Sequence, residues 1–205
     1  MRVRAVIFDI GGVLERVGSP LSWLGPWLEE LSLTADELTD TMEHAAPAGQ
    51  IETGALTEPQ YRSQIAAALG LTARQEHRFF TGMWDWYCGE LDTELAVFSA
   101  SLRPRCRTAI LSNSADGARR EEHARYRFAD SYDPVLYSHE IGAAKPDPAC
   151  YLLACQALDL PPGQVVMVDD VPEFIAGARA VGMHGVLHLT TQETTAKLSD
   201  ATLAL

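Results

Sequence analysis

Residues 165–183 read VVMVDDVPEFIAGARAVGM, and they contain a complete strand–helix unit. The first four residues are apolar without alternation, the signature of a strand buried on both faces rather than one. Asp169 and Asp170 follow at its carboxyl end. Pro172 stands where a first helical turn tolerates a residue with no N–H. Phe174, Ile175, Ala178 and Val181 then fall on one helical stripe, and Gly182 supplies the stop.

Working outward, comparable apolar runs lie at residues 3–8, 108–111, 135–137 and 185–189. Each after the first is followed, directly or after a short loop, by a helix start signal, such as Asp147-Pro148 ahead of the helix near 150. This is the βαβ rhythm of a parallel sheet covered on both faces. The segment 15–96 breaks the rhythm. It offers no good strand, but Thr34 with Glu37, Thr57 with Gln60 and Thr72 with Gln75 each have capping-box spacing, and Asp92 can cap a further helix. An α/β fold is therefore expected, with helices inserted after the first strand and a cleft between the two parts. The expected division is a core of 1–14 and 97–205 and a helical insertion of 15–96. No internal repeat or low-complexity tract is present.

The 205-residue chain carries Lys+Arg 16 against Asp+Glu 28, a formal net charge of -12. That balance argues against a nucleic-acid binder, which shows a basic face, while leaving room for an anionic small molecule held by local cations or a metal. Hydrophobic residues make up 47%, and a chain of this length buries roughly 70% of its unfolded surface, so it needs no disulfide staple. Cys88, Cys106, Cys150 and Cys155 match neither a CxxC redox pair nor a zinc site. No run approaches the roughly 18 apolar residues of a membrane span, and MRVRAVIFDI lacks the features of a signal peptide. Reduced thiols and a cytoplasmic address are expected.

In open parallel sheets the ligand crevice lies beyond the carboxyl ends of the strands. There the sequence places Asp9, Ser112 and Asp169-Asp170, with Lys145 in the loop GAAKPDP ahead of a helix. Carboxylates could hold Mg²⁺, and one could attack a phosphorus atom. The hydroxyl and the lysine could cradle phosphoryl oxygens. Each residue also has a plain structural reading. Asp9-Ile10-Gly11-Gly12 can be a strand-ending turn, Ser112 a helix N-cap, Lys145 a solvated lysine, and Asp169-Asp170 the cap of the next helix. All of them together, in this order at strand ends, form a chemically coherent set.

AVIFDIGGVL (5–14), ILSNS (110–114), SHEIGAAKPDP (138–148) and VVMVDDVPEFIAGARAVGM resemble the four motifs of the haloacid dehalogenase-like hydrolase superfamily. The match runs through the whole chain in order. Within that family the chain is most similar to small sugar-phosphate phosphatases of the α-D-glucose-1-phosphate phosphatase type. The resemblance implies a Rossmann-like three-layer core with a small all-helical cap. It also implies a Mg²⁺-dependent phosphatase acting on a small phosphorylated metabolite through an aspartyl-phosphate. Asp9 would be the nucleophile. Asp9, the backbone carbonyl of Gly11, Asp169 and Asp170 would hold the ion. Ser112, the Asn113 backbone and Lys145 would bind the phosphoryl group, Lys145 also offsetting charge in catalysis. No nucleic acid or membrane partner is implied, and the oligomer would be a monomer or homodimer.

One departure concerns Gly11, where such phosphatases carry a second Asp as general acid and base. A positioned acid contributes about 10²–10⁴-fold in rate. A good leaving group could make it dispensable, a cap residue such as Glu15 or His44 could replace it, or the protein could be a weak hydrolase that binds a phosphorylated ligand or protein partner. The superfamily's 2-haloacid dehalogenases also lack that Asp, attack carbon and need no metal; the Asp169-Asp170 pair, which their chemistry does not require, ranks them second. Phe174, where many relatives have Asn, is read as a packing change. The dispersed histidines, including His184 and His188, form no metal site. Trp84, Trp86 and Tyr87, and Trp23 with Trp27, read as core stripes with a sugar-stacking face as the alternative. Residues 119–122 read as a solvated helix face.

Overall fold

The computed structural model describes residues 3–203, with side chains to residue 200. In chain order the elements are β1 (Ala5–Phe8), β2 (Glu15–Arg16), α1 (Leu21–Leu31), α2 (Ala35–Ala45), α3 (Ala48–Glu52), α4 (Glu58–Leu69), α5 (Ala73–Tyr87), β3 (Glu90–Leu91), α6 (Thr93–Leu102), β4 (Arg107–Ser112), α7 (Ala118–Tyr126), β5 (Val135–Tyr137), α8 (Ser138–Ile141), α9 (Pro148–Leu158), β6 (Val165–Asp169), α10 (Pro172–Ala180), β7 (His184–Leu187) and α11 (Thr191–Leu203).

Five strands form one parallel sheet in the order β5-β4-β1-β6-β7. Alternation along each strand feeds two cores. Val6, Phe8, Ile110, Val166 and Val168 face Leu95 and Leu102 of α6, Ala118 of α7 and Leu198 of α11. Ala5, Ile7, Ala109, Leu111, Val165 and Met167 face Cys150, Tyr151 and Ala154 of α9 and Ile175 and Ala178 of α10. The result is the expected three-layer Rossmann-like α/β arrangement. Burial on both faces explains why the strands read as unbroken apolar runs.

Helices α1 to α5 build a third apolar cluster of their own around Trp27, Leu38, Tyr61, Ile65, Phe79 and Phe80. Their starts follow the capping signals: Thr34, Thr57 and Thr72 all form complete capping boxes. Two details of the sequence reading change. The insertion does contain strand, because Glu15–Arg16 pairs antiparallel with Glu90–Leu91; two-residue strands are too short to show periodicity. And α6, capped by Asp92 through the Leu95 N–H at 2.8 Å, crosses the 96/97 boundary, since Leu95 and Leu102 pack on the sheet rather than on the inserted helices. Among the described residues no helix is long and apolar enough to cross a membrane.

Two contacts fix the inserted helices against the sheet layer. Glu58 at the start of α4 accepts from Trp84 Nε1 at 3.1 Å and from Arg120 of α7 at 2.9 Å, while its N–H donates to Asp116 at 2.8 Å. Gly54, at φ 71°, approaches the backbone of α8 so closely that a Cβ there would lie 2.2 Å from the His139 carbonyl oxygen; only glycine fits both the left-handed backbone and the contact.

Candidate active site

The strand order dictates the site. β1 lies between β4 and β6, and the chain crosses sides between β5 and β6, so the crevice opens at the carboxyl end of β1. Phe8 is level with Ile110 and Val168, which brings Asp9 out level with Asp169 and one residue short of Ser112. The Asp9 N–H still donates to the Val168 carbonyl at 2.9 Å, holding the residue in strand geometry.

Asp9, Asp169 and Asp170 each offer a carboxylate oxygen, all within 4.8 Å of one another. Asp9 and Asp169 are buried and Asp170 is exposed. Lys145 is not a solvated lysine: its side chain is fully enclosed, and its Nζ donates to Asp169 Oδ2 at 2.6 Å and pairs with Asp9 Oδ1 at 2.9 Å. Burial opposes its charge, but the two carboxylates outweigh burial and hold the ammonium protonated. Burial and the charge of Asp9 push Asp169 upward against the pull of Lys145, and burial pushes Asp170 the same way.

Asn113 explains how a lysine in a loop reaches that position. Its side chain accepts from the Lys145 N–H at 2.8 Å and donates to the Lys145 carbonyl at 2.9 Å. The sequence reading offered only its backbone and missed this clamp, whose partners lie 32 positions apart. Ser112 ends β4 and is buried beside the site; α7 begins only after Gly117, so Ser112 is no N-cap. Asp169 does accept from the Val171 N–H at 2.9 Å, a turn contact ahead of α10. Gly11 lines the pocket. Gly12, at φ 76°, is required by its neighbour: a Cβ there would fall 2.3 Å from Asp170 Oδ2.

These residues open onto a cavity of about 270 Å³ lined by Asp9, Gly11, Ser112, Asn113 and Asp170, with Val17, Trp86, Tyr87 and Val171 as apolar walls. Two further acidic residues contribute to its wall, Glu15 and Glu122, and both are fully buried. Neither oxygen of Glu15 has a hydrogen-bond partner; burial and the adjacent Glu122, opposed by Arg125, raise it to about 9. Burial likewise pushes Glu122 up to about 8, against its bond from Tyr137. The expectation of a solvated face at 119–122 thus fails at Glu122, which shares the buried face of α7 with Ala118 one turn earlier. His44 bonds the Asp40 carbonyl on an exposed part of α2 and does not line the site. His184 and His188 bond Gly163 and Thr194 separately. Trp84 and Trp27 are core, whereas Trp86, anchored by its Nε1 on the Gly18 carbonyl at 2.8 Å, is half-buried at the cavity wall. Phe174 covers Lys145, whose Nζ lies 5.0 Å from the ring centre.

The haloacid dehalogenase-like hydrolases match residues 3–182 of this chain, and the chain belongs to that family. It is 26% identical over 218 residues to bifunctional epoxide hydrolase 2 of Sus scrofa, covering 98% of this chain and 39% of that protein. It is 34% identical over 95 residues to a phosphoserine phosphatase of Thermus thermophilus, covering 45% of this chain and 38% of that protein. Over 79 residues it is 35% identical to (S)-2-haloacid dehalogenase 1 of a Pseudomonas species, covering 38% and 35%. The matched segments thus span well under half the length of these curated relatives. Among solved structures, the family enzyme bt-2542 of Bacteroides thetaiotaomicron, in a magnesium complex, superposes with a TM-score of 0.77 at 18% identity, covering 92% of this chain and 94% of that one. A 2-haloacid dehalogenase of Pseudomonas syringae gives 0.67 at 21% identity, covering 91% and 86%. At such identities the likeness is one of fold.

Proposed function

We propose that the protein is a Mg²⁺-dependent phosphatase of small phosphorylated metabolites, with sugar phosphates favoured, working through an aspartyl-phosphate, and that α1 to α5 act as its cap. The observation that carries this reading is the buried Lys145 ammonium spanning Asp9 and Asp169, with Asp170 completing a three-carboxylate cluster. The donor set fits a hard divalent ion: carboxylate oxygens of Asp9, Asp169 and Asp170, joined by the Gly11 carbonyl. The bare Cα of Gly12 supports the fit, because it leaves Asp170 room to stand against the loop. Bound there, Mg²⁺ supplies positive charge against the phosphoryl oxygens that otherwise repel an attacking carboxylate.

The chain's own residues do the rest. Ser112 and the Asn113 backbone orient the phosphoryl group, and Lys145 offsets its charge. Asp9 attacks phosphorus, the P–O bond to the leaving group breaks, and that oxygen departs with a proton. Water then cleaves the acyl-phosphate, returning Asp9 and releasing phosphate. With Gly11 unable to give the proton, we assign that role to Glu15, a residue of the cavity wall beside Asp9 whose buried carboxyl has both oxygens unpartnered. The four cysteines, all free and buried, support a reducing, cytoplasmic setting.

A second reading rests on Gly11 itself, since 2-haloacid dehalogenases of the family also dispense with an acid there. A screen of sugar phosphates, nucleotides, acyl phosphates, 4-nitrophenyl phosphate and 2-haloacids, with Mg²⁺ and with chelator, separates the two. Phosphate release that requires Mg²⁺ and disappears in Asp9→Asn is expected. Metal-independent halide release without phosphate release would replace the phosphatase reading.

A further inference from the structure

A second concave surface, far from Asp9, has the opposite charge to the molecule as a whole. Arg4, Arg103, Arg105 and Arg107 line an open hollow of about 700 Å³, with Asp159 the one acidic residue among those described there. The chain's formal net charge is -12, so the hollow inverts the sign of the protein that carries it. It lies at the amino ends of the strands. Arg4 precedes β1, Arg107 opens β4 level with Ala5, and the Arg107 N–H donates to the Arg4 carbonyl at 2.9 Å. Arg103 and Arg105 come from the turn between α6 and β4. From Arg4 to Asp9 the chain runs the full length of β1, about 16 Å at about 3.3 Å per residue, so a phosphoryl group held at Asp9 does not touch these arginines. Arg107 is already engaged: it donates to the Leu158 carbonyl at 2.9 Å and lies 3.7 Å from Asp133 Oδ2. The other three are exposed, and among the described residues none of their guanidinium groups has a hydrogen bond or an ion pair. Arg62, Arg78, Arg119, Arg120, Arg125 and Arg127, by contrast, all have carboxylate partners. Like charges gathered without a counter-charge repel one another, and a bound anion relieves that repulsion.

We propose that this hollow is a binding site for a small polyanion with linked phosphoryl groups, the chemistry shared by nucleoside triphosphates and inorganic polyphosphate. Guanidinium forks pair with phosphate oxygens two at a time and keep their charge at any working pH. The lining side chains set four positive charges against one negative. A single phosphate monoester brings about −1.5 to −2 charges, whereas two or three linked phosphoryl groups match the excess. The volume falls within the range of small-molecule sites. The site takes no part in the reaction proposed above, and binding there does not depend on that reaction.

The test is calorimetric titration of the full chain, dialysed free of metal, with inorganic phosphate, tripolyphosphate and ATP. Tripolyphosphate or ATP should bind at least about 30-fold more tightly than phosphate, and about tenfold less tightly when salt rises from about 20 to about 200 mM. Arg103→Glu together with Arg105→Glu should weaken that binding about 100-fold, while turnover of 4-nitrophenyl phosphate with Mg²⁺ stays within about twofold of wild type. Asp159→Asn probes the hollow independently: asparagine tolerates the left-handed backbone at φ 52°, and loss of the one opposing charge should tighten binding about threefold. Arg74→Glu, on an exposed part of α5, shifts the net charge in the same direction as the arginine variants and should leave binding within about twofold. Tighter binding of ATP than of tripolyphosphate identifies a nucleotide as the occupant, the reverse identifies inorganic polyphosphate, and either supports the site. Polyphosphate bound no more tightly than phosphate, binding unmoved by the hollow's variants, or an equal loss in Arg74→Glu overturns the inference. So does capture of anionic vesicles or single-stranded RNA through these arginines when neither polyphosphate binds. A chain that turned over no ester yet bound tripolyphosphate here would keep this site and lose only the phosphatase reading.

Discussion

Glu122→Gln should change how stability depends on pH. Glu122 is fully buried, and burial raises its carboxyl from 4.5 to about 8. The groups acting on it are Asp9, Glu15, Tyr137, Tyr87 and Cys88 from neighbouring elements and Arg119 from its own helix. The folded protein therefore keeps this proton where the unfolded chain has lost it. Its contribution to stability is fully present below pH 4.5 and is lost as pH rises through about 8. At about 1.36 kcal/mol per pH unit the ceiling is about 5 kcal/mol, and relaxation of the site should leave about half. Glutamine has no proton to lose and can still accept from Tyr137. The variant and the wild type should thus lie within about 1 kcal/mol at pH 5, and the variant should be more stable by about 2–3 kcal/mol at pH 9. Urea denaturation followed by tryptophan fluorescence, at five pH values with chelator present, measures the difference directly. A difference independent of pH, or one that grows toward acid, would refute a neutral buried Glu122.

Three further outcomes are expected. Lys145→Met leaves Asp9 and Asp169 buried without their cation; it should lower stability by about 3–5 kcal/mol at pH 8 and remove most turnover, and a variant within tenfold of wild type would contradict the role assigned to the ammonium. Asn113→Ala removes both side-chain bonds to the Lys145 backbone; a loss of about 1–3 kcal/mol by chemical denaturation should accompany a fall in kcat greater than the rise in KM. Gly12→Ala meets a left-handed backbone and a carboxylate 2.3 Å away; it should cost about 1–3 kcal/mol and weaken Mg²⁺ binding by titration calorimetry, unchanged affinity counting against Asp170 as a contributor to the ion site.

The parts of the molecule legible in the sequence are those where a local rule and the tertiary structure agree. The runs at 108–111, 135–137 and 165–168 mark real strands because both faces of the sheet are covered. The three Thr boxes mark real helix starts because capping is settled within four residues. Asp9, Ser112 and Asp169 are legible because strand ends on adjacent strands must converge. Lys145 is different: nothing in GAAKPDP says that its side chain turns inward, and its place depends on Asn113, far away in sequence. Glu122 sits in the run RREE, where every local signal favours solvent; the partner that meets it in the interior, Tyr137, comes from a strand not yet reached in the chain.

The two ends of the cavity are built on opposite electrostatic principles. At the Asp9 end Lys145 offsets buried carboxylate charge within hydrogen-bond distance, so that end is organised before any ligand arrives and owes little to the substrate's identity. At the other end Glu15 and Glu122 keep three buried oxygens without partners, which stabilises nothing in the free protein. A fold that left such oxygens unmade by accident would gain from leucine or glutamine at either position, because an apolar or neutral group of similar shape removes the desolvation cost. The motif residues therefore sit at the organised end, and the unpartnered carboxyls sit where local sequence rules fail, on β2 and α7. Replacing Glu122 by glutamine should accordingly raise stability at neutral pH, and a variant less stable there would mean that the carboxyl serves the fold instead.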